Sequence, residues 1–288
     1  LVLFFKKELL PSFLSPGSPM PRIVITGAAG AIGTTLRRGL AATWPNLLLT
    51  DRRKPEAAEG SWIEADIADR AALAEIMQGA TTLIHLAGAA SSDLDTLWHA
   101  NAQGLFEVFE AARHAGVQRI IYASSNHAHG MYPITTPVAP SMPARPDGHY
   151  GALKAYGELI LQSFHDRYGI TSVSLRIGTY RDLPIDQRSL ATWLSPADML
   201  RITEASLRHP NPGALVVNAY SNNTRLKVAR ENWDFLGYTP QDDAETHRAM
   251  LRAQGHDVDS PDQDRWEHPH HGGSFATGPE LPMSLAQR

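Results

Sequence analysis

The chain has 288 residues, 43% hydrophobic and 19% charged, so it can bury a full core and is neither disordered nor collagen-like as a whole. Its 26 Lys and Arg against 30 Asp and Glu give a net charge of −4 with no basic run, which argues against a nucleic-acid partner. There is no cysteine, which excludes disulfides, thiolate nucleophiles and iron–sulfur clusters and fits a reducing, cytoplasmic setting.

Leu1–Phe5 is among the longest apolar runs, far short of the ~20 residues that a membrane span needs. Lys6, Lys7 and Glu8 follow it instead of preceding it, so it does not read as a secretory signal. Residues 1–20 are expected to be an N-terminal extension, disordered or non-native, with no part in chemistry. Strands are then predicted at Arg22–Thr26, Asn46–Asp51, Trp62–Asp66, Thr82–Leu86, Arg119–Ala123 and Thr171–Ile177. Helices are predicted at Ala31–Ala42, Ala71–Gln78, Leu94–Ala115 and Tyr150–Tyr168. This alternation predicts the α/β class, a doubly wound parallel sheet (Rossmann) with helices on both faces. After residue 178 the rhythm weakens. A helix is predicted at Pro196–Arg208 with Ser195 as its cap, a strand at Leu215–Tyr220, and helices near Lys227–Leu236 and Asp243–Gln254. The last ~30 residues, rich in Pro, Gly and His, read as coil.

The first strand runs into Gly27-Ala28-Ala29-Gly30-Ala31-Ile32-Gly33 and then a helix. Glycines there let backbone N–H groups approach a pyrophosphate, and the helix N-terminus favours its charge. Asp51 ends the second strand roughly 20 residues on, where a carboxylate binds the adenosine ribose and favours NAD. Arg52 and Arg53 keep NADP open as an alternative. Asp66 and Ile67 follow the third strand as candidates to cover the adenine. Leu86-Ala87-Gly88 ends the fourth strand with small residues that let a cofactor lie close. The organisation expected is therefore residues 21–178 as an NAD-binding domain and 179–288 as a small substrate-binding region and tail.

Tyr150 and Lys154 form Y-x-x-x-K, an i, i+4 pair on one helix face. The ammonium is expected to lower the phenol from its ordinary pKa of about 10, making Tyr150 a base for a hydroxyl proton. Ser124-Ser125, directly after the fifth strand, places a hydroxyl to hold the reacting oxygen. His127 and His129 are alternative bases with less support. Glu267, His268, His270 and His271 carry metal-ligating groups, but Pro269 and the nearby glycines read as a solvated tail and no metal is expected.

The glycine loop Thr26–Gly33, the strand-end serine and Y-x-x-x-K together resemble the extended branch of the short-chain dehydrogenase/reductases. That likeness assigns Asn101 a structural or proton-relay place beside the cofactor. A narrower likeness lies in Ala123–His127, Tyr132-Pro133, Arg145–Gly151, Leu175–Gly178, Arg188–Ser195 and Gly272–Phe275, which resemble the bacterial uronate dehydrogenases from about residue 21 to Phe275. The resemblance implies NAD-dependent oxidation of a hexuronic acid, such as glucuronate or galacturonate, at C1 to the aldarolactone. It implies Tyr150, Lys154 and Ser125 as catalytic residues. It implies Ser125, Asn126, His127, Thr179 and Arg188 as substrate contacts, Arg188 on the sugar carboxylate. A homo-oligomer is expected. The chain departs from the family at Ala90, where a substrate-contacting serine is usual and Ser91 or Ser92 stand nearby, at Leu153, and over Thr179–Asp186. The alternatives are another sugar enzyme of the same branch, a nucleotide-sugar epimerase or dehydratase or an NADP-dependent reductase, and a non-catalytic dinucleotide sensor, against which the intact Tyr150 and Lys154 argue.

Overall fold

The computed structural model describes residues 20–91, 93–259 and 269–277, so the expected extension over residues 1–19, together with Ser92, Glu267 and His268, lies outside the described residues. The first half runs β1 (Ile23–Thr26), α1 (Ala31–Leu40), β2 (Leu47–Asp51), β3 (Ser61–Glu64), α2 (Arg70–Ile76), β4 (Thr82–His85) and α3 (Leu94–Trp98). A π-helical turn (His99–Gly104) leads into α4 (Leu105–His114), then β5 (Arg119–Ser125), a 3₁₀ turn (Asn126–His129), α5 (His149–Tyr168) and β6 (Thr171–Ile177). There follow β7 (Thr179–Tyr180), α6 (Ser189–Thr192), β8 (Trp193–Leu194), α7 (Pro196–Arg208), β9 (Ala214–Ala219) and α8 (Trp233–Leu236). A second 3₁₀ turn (Ala244–His247), α9 (Arg248–Ala253) and α10 (Ser274–Thr277) complete the described chain.

Seven strands pair in parallel in the order β3-β2-β1-β4-β5-β6-β9, the doubly wound arrangement expected from the alternating pattern. Side chains of β1 alternate between two apolar layers. Ile23 and Ile25 meet Leu36 and Leu40 of α1 and Ile202 of α7. Val24 meets Leu73 of α2, Phe109 of α4 and Leu161 of α5. Covered on both faces, such strands must be apolar at successive positions, which is why they read as unbroken apolar runs. From β1 the sheet is built outward in both directions, through β2 on one side and β4 on the other. This strand order opens a crevice at the carboxyl ends of β1 and β4.

Several expectations change. The strand expected at Leu215–Tyr220 forms as β9 and joins the main sheet, pairing with β6 from Ser172↔Ala214 to Ile177↔Ala219, and α7 packs in the same layer as α1. The single helix expected over Leu94–Ala115 is interrupted by the π turn at His99–Gly104. The widened turn contains the buried Asn101, whose amide exchanges two hydrogen bonds with the backbone of Ala89, at 2.8 and 2.7 Å. Only Trp233–Leu236 of the helix expected at Lys227–Leu236 forms. Val228 is drawn into a bridge with Val138, and Asn232 sits at φ 70, in the left-handed region that a helix cannot use. The expected C-terminal coil is partly docked. His270 bridges Pro133, and the amides of His271 and Gly272 donate to the carbonyls of Tyr132 and Gly130, at 3.0 and 2.9 Å. Far from being solvated, His271 is buried, with its Nε2 2.8 Å from the Thr136 carbonyl.

Candidate active site

Two adjoining cavities open at the crevice and share Leu86, Gly88 and Ala89. The first, about 470 Å³, is lined by Gly27, Gly30, Asp51, Asp66, Ile67 and Leu86–Gly88, all predicted from sequence, and by Arg52 and His99. Its floor requires glycine. Gly27 has φ +72, and a Cβ there would overlap the Ala87 backbone; a Cβ at Gly33 would overlap the Gly27 carbonyl. The β1 loop, the β4 loop and α1 therefore approach as closely as bare backbone allows. Gly30 forms the cap of α1, so the orphan N–H groups of the helix start at the loop. The Asp51 carboxylate is pinned at the rim by the amides of Ala29 (3.0 Å) and Arg52 (2.8 Å). Asp66 accepts from the Ala68 amide at 2.9 Å and pairs with His99 at 3.2 Å. A helix start, a pinned acid on the next strand and a glycine floor fit the pyrophosphate and ribose of a dinucleotide. Ala31 and Gly33 do not line this space, and Asn101 stands behind it, bracing Ala89.

The second cavity, about 480 Å³, brings together Ser125, Asn126, His127, Tyr150, Lys154 and Thr179, with Ile32 at the loop end. Ser125 ends β5 and caps the following turn, its Oγ accepting from the His127 amide at 3.2 Å and facing Asn126 Oδ1 at 3.3 Å. Tyr150 and Lys154 share one face of α5, with Nζ 5.6 Å from the phenol ring centroid. That ammonium is buried and donates to the Ala123 carbonyl at 2.7 Å. Burial brings the Lys154 pKa down to about 8, while the Glu158 carboxylate one turn on works against the fall. Tyr150 differs from expectation. Burial raises its phenol above the ordinary value, Ser125's hydrogen bond pulls it down, and Asp147 adds to the rise. Desolvation thus outweighs the Ser125 hydrogen bond in the chain itself.

The Lys154 shift has a measurable consequence for stability. A lysine depressed to about 8 from 10.5 releases its proton in the folded chain before the unfolded one. The unfolded state then binds more protons across that interval, so this residue makes stability rise with pH from about 8 to 10.5. Denaturant melts of Lys154→Met should lack that increment relative to the native chain, and identical pH dependence in the two would contradict the assignment.

Ser124 borders the cavity, but its hydroxyl turns inward to Glu158 at 2.5 Å. Glu158 is clamped by Arg176 at 2.6 and 2.9 Å, and Arg176 in turn contacts His129. His129 is thereby committed to a buried network, and burial and Arg176 lower its pKa to about 4. It does not reach the cavity as an alternative base. Arg188 is half-buried just behind the wall. Its guanidinium donates to the Thr179 hydroxyl at 3.4 Å and to the His271 carbonyl at 2.8 Å, both neutral oxygens. Ala90 borders the cavity without a hydroxyl, Ser91 Oγ is taken by the Asp93 amide at 3.0 Å, and Leu153 lines neither space.

Two participants had no role in the sequence reading. Phe275 lines the cavity from the docked C-terminal segment, its ring 4.2 Å from that of His127. Asp147 is buried behind His127, with Oδ2 2.6 Å from Nδ1. Phe275 and Asp147 stood out only within the resembling segments Gly272–Phe275 and Arg145–Gly151; nothing local ties either to His127.

The model of the NAD dependent epimerase/dehydratase family matches residues 23–180. The chain is 38% identical over 263 residues to the uronate dehydrogenase of Pseudomonas putida, covering 90% of this chain and 97% of that one. It is 34% identical over 257 residues to the L-arabinose 1-dehydrogenase (NAD(P)(+)) of Haloferax volcanii, covering 79% and 99%. The crystal structure of uronate dehydrogenase from Agrobacterium tumefaciens matches with a TM-score of 0.84 at 34% identity, over 91% of this chain and 98% of that one. A tyrosine-to-alanine mutant of that enzyme, complexed with NAD, matches with the same TM-score. The chain belongs to the NAD dependent epimerase/dehydratase family, in the branch that holds the uronate dehydrogenases.

Proposed function

We propose that this chain is an oxidoreductase that oxidises a hexuronic acid at C1 to the aldarolactone with NAD. The observation that carries the reading is the meeting of the Tyr150–Lys154–Ser125 group with Thr179 in one cavity, backed by the Arg188 guanidinium and joined to the dinucleotide-shaped cleft. NAD, when bound, supplies the hydride acceptor. The glycine loop, Asp51, Asp66 and Ile67 hold it, and the pinned Asp51 carboxylate repels a ribose phosphate. The Lys154 charge steadies Tyr150 as the phenolate, which takes the C1 hydroxyl proton and becomes the phenol. Ser125 donates to the oxygen that becomes the lactone carbonyl. Arg188 meets the sugar carboxylate, exchanging neutral oxygens for a charged one. Asn126, His127 and Thr179 present polar groups to the ring hydroxyls.

The relatives include an enzyme named for a neutral sugar, L-arabinose, so the acid end of the substrate is the point to test. Absorbance of the reduced nicotinamide should rise with glucuronate or galacturonate and NAD, and much less with glucose, L-arabinose or NADP. Neutral sugars matching the uronates would remove the carboxylate from the reading while leaving C1 oxidation in place.

A further inference from the structure

We propose that Asp147 is a positioning residue that holds His127 as a hydrogen-bond acceptor for a sugar hydroxyl; the sugar rests on the functional reading above. The pair is close, Nδ1 to Oδ2 at 2.6 Å, with the Asp147 side chain 0% exposed and that of His127 14% exposed. An ionised carboxylate only accepts, so in the neutral ring Nδ1 carries the proton and Nε2 is left with a lone pair. His127 lines the cavity, between Phe275 at 4.2 Å and Tyr150 at 5.6 Å between ring centroids.

The surroundings are shaped for this acid. A Cβ at Gly130 or at Gly272 would overlap the Asp147 carboxyl, and one at Gly151 would overlap the His127 carbonyl. Three glycines from three segments distant in sequence thus clear the space that Asp147 and His127 occupy. Asp147 Oδ1, moreover, is buried without a hydrogen-bond partner among the described residues. A buried acid with one oxygen unsatisfied costs stability, so packing alone does not account for it. Its contact with His127 does.

An acceptor nitrogen recognises O–H and repels a carboxylate. The sugar is therefore oriented with a hydroxyl toward His127 and its acid end toward Arg188, which donates to the Thr179 hydroxyl at 3.4 Å. Ring-nitrogen NMR on isotopically labelled histidine, with His127→Ala to assign the signals, reads the tautomer directly. The native chain at mildly alkaline pH should show His127 protonated at Nδ1 alone, and Asp147→Asn should show a mixture of tautomers. A native ring protonated at Nε2, or at both nitrogens, overturns the proposal. Kinetics give the second reading. Asp147→Asn and His127→Ala should each lower kcat/KM for a uronate about ten- to a hundredfold, and the double variant should lose no more than His127→Ala. Fully multiplied losses would show two independent roles and overturn the relay. If the native chain oxidises no uronate, the substrate reading fails while the NMR result still decides the tautomer.

Discussion

Tyr150→Phe should lower kcat by about a thousandfold or more, because it removes the only hydroxyl on the α5 face that points with Lys154 into the reacting cavity. Phenylalanine keeps the ring beside His127 and loses one hydrogen bond with Ser125, so folding stability should change by no more than about 1 kcal/mol. NAD binding, followed by fluorescence quenching, should persist, since the cleft for the dinucleotide is built from other segments. The informative result is the combination. Lost turnover with intact binding and melting places the proton transfer on Tyr150. Turnover within a few-fold of native would hand that role to another group, and His127 lines the same cavity.

The second large effect is expected at Arg188. A hydrogen bond to a charged group is worth about 1.5–3 kcal/mol, so Arg188→Met should reduce kcat/KM for a uronate about ten- to a hundredfold, mostly through KM. Glucose should be affected far less, which narrows the preference for the acid. Arg188 also anchors the His271 carbonyl, and its loss loosens the segment that carries Phe275. Arg188→Lys separates the two contributions. It keeps the charge but gives up the planar fork that reaches Thr179 and His271 together. Full recovery by lysine would mean that charge alone suffices; equal losses for uronate and glucose would mean that Arg188 serves only the wall.

Much of this was legible because it is local. The loop from Gly27 to Gly33, the acid Asp51 and the pair Tyr150 and Lys154 each sit at a strand end or within one helical turn, where spacing dictates geometry. The π turn was not legible, since one widened turn hardly disturbs the apolar spacing of a helix. Nor was the direction of the Tyr150 shift, which depends on burial by segments far away in sequence. Position alone left serines 124 and 125 equivalent and only the resemblance pointed to Ser125; the fold turns Ser124 to Glu158 and leaves Ser125 facing Asn126. The Asp147–His127 contact spans 20 residues and is completed by Gly272, so no window of sequence contains it.

The placement of β9 and α7 bears on how the chain is made. Leu36 and Leu40 on α1 share their apolar layer with Ile202 and Leu207, and Val217 and Ala219 of β9 complete that side. A ribosome adding about 5–20 residues each second leaves the early part of this layer uncovered for on the order of ten seconds before its partners are synthesised. The nascent chain thus exposes a sticky half-built face during that interval, so chaperone occupancy during translation should fall steeply once α7 and β9 have emerged from the exit tunnel.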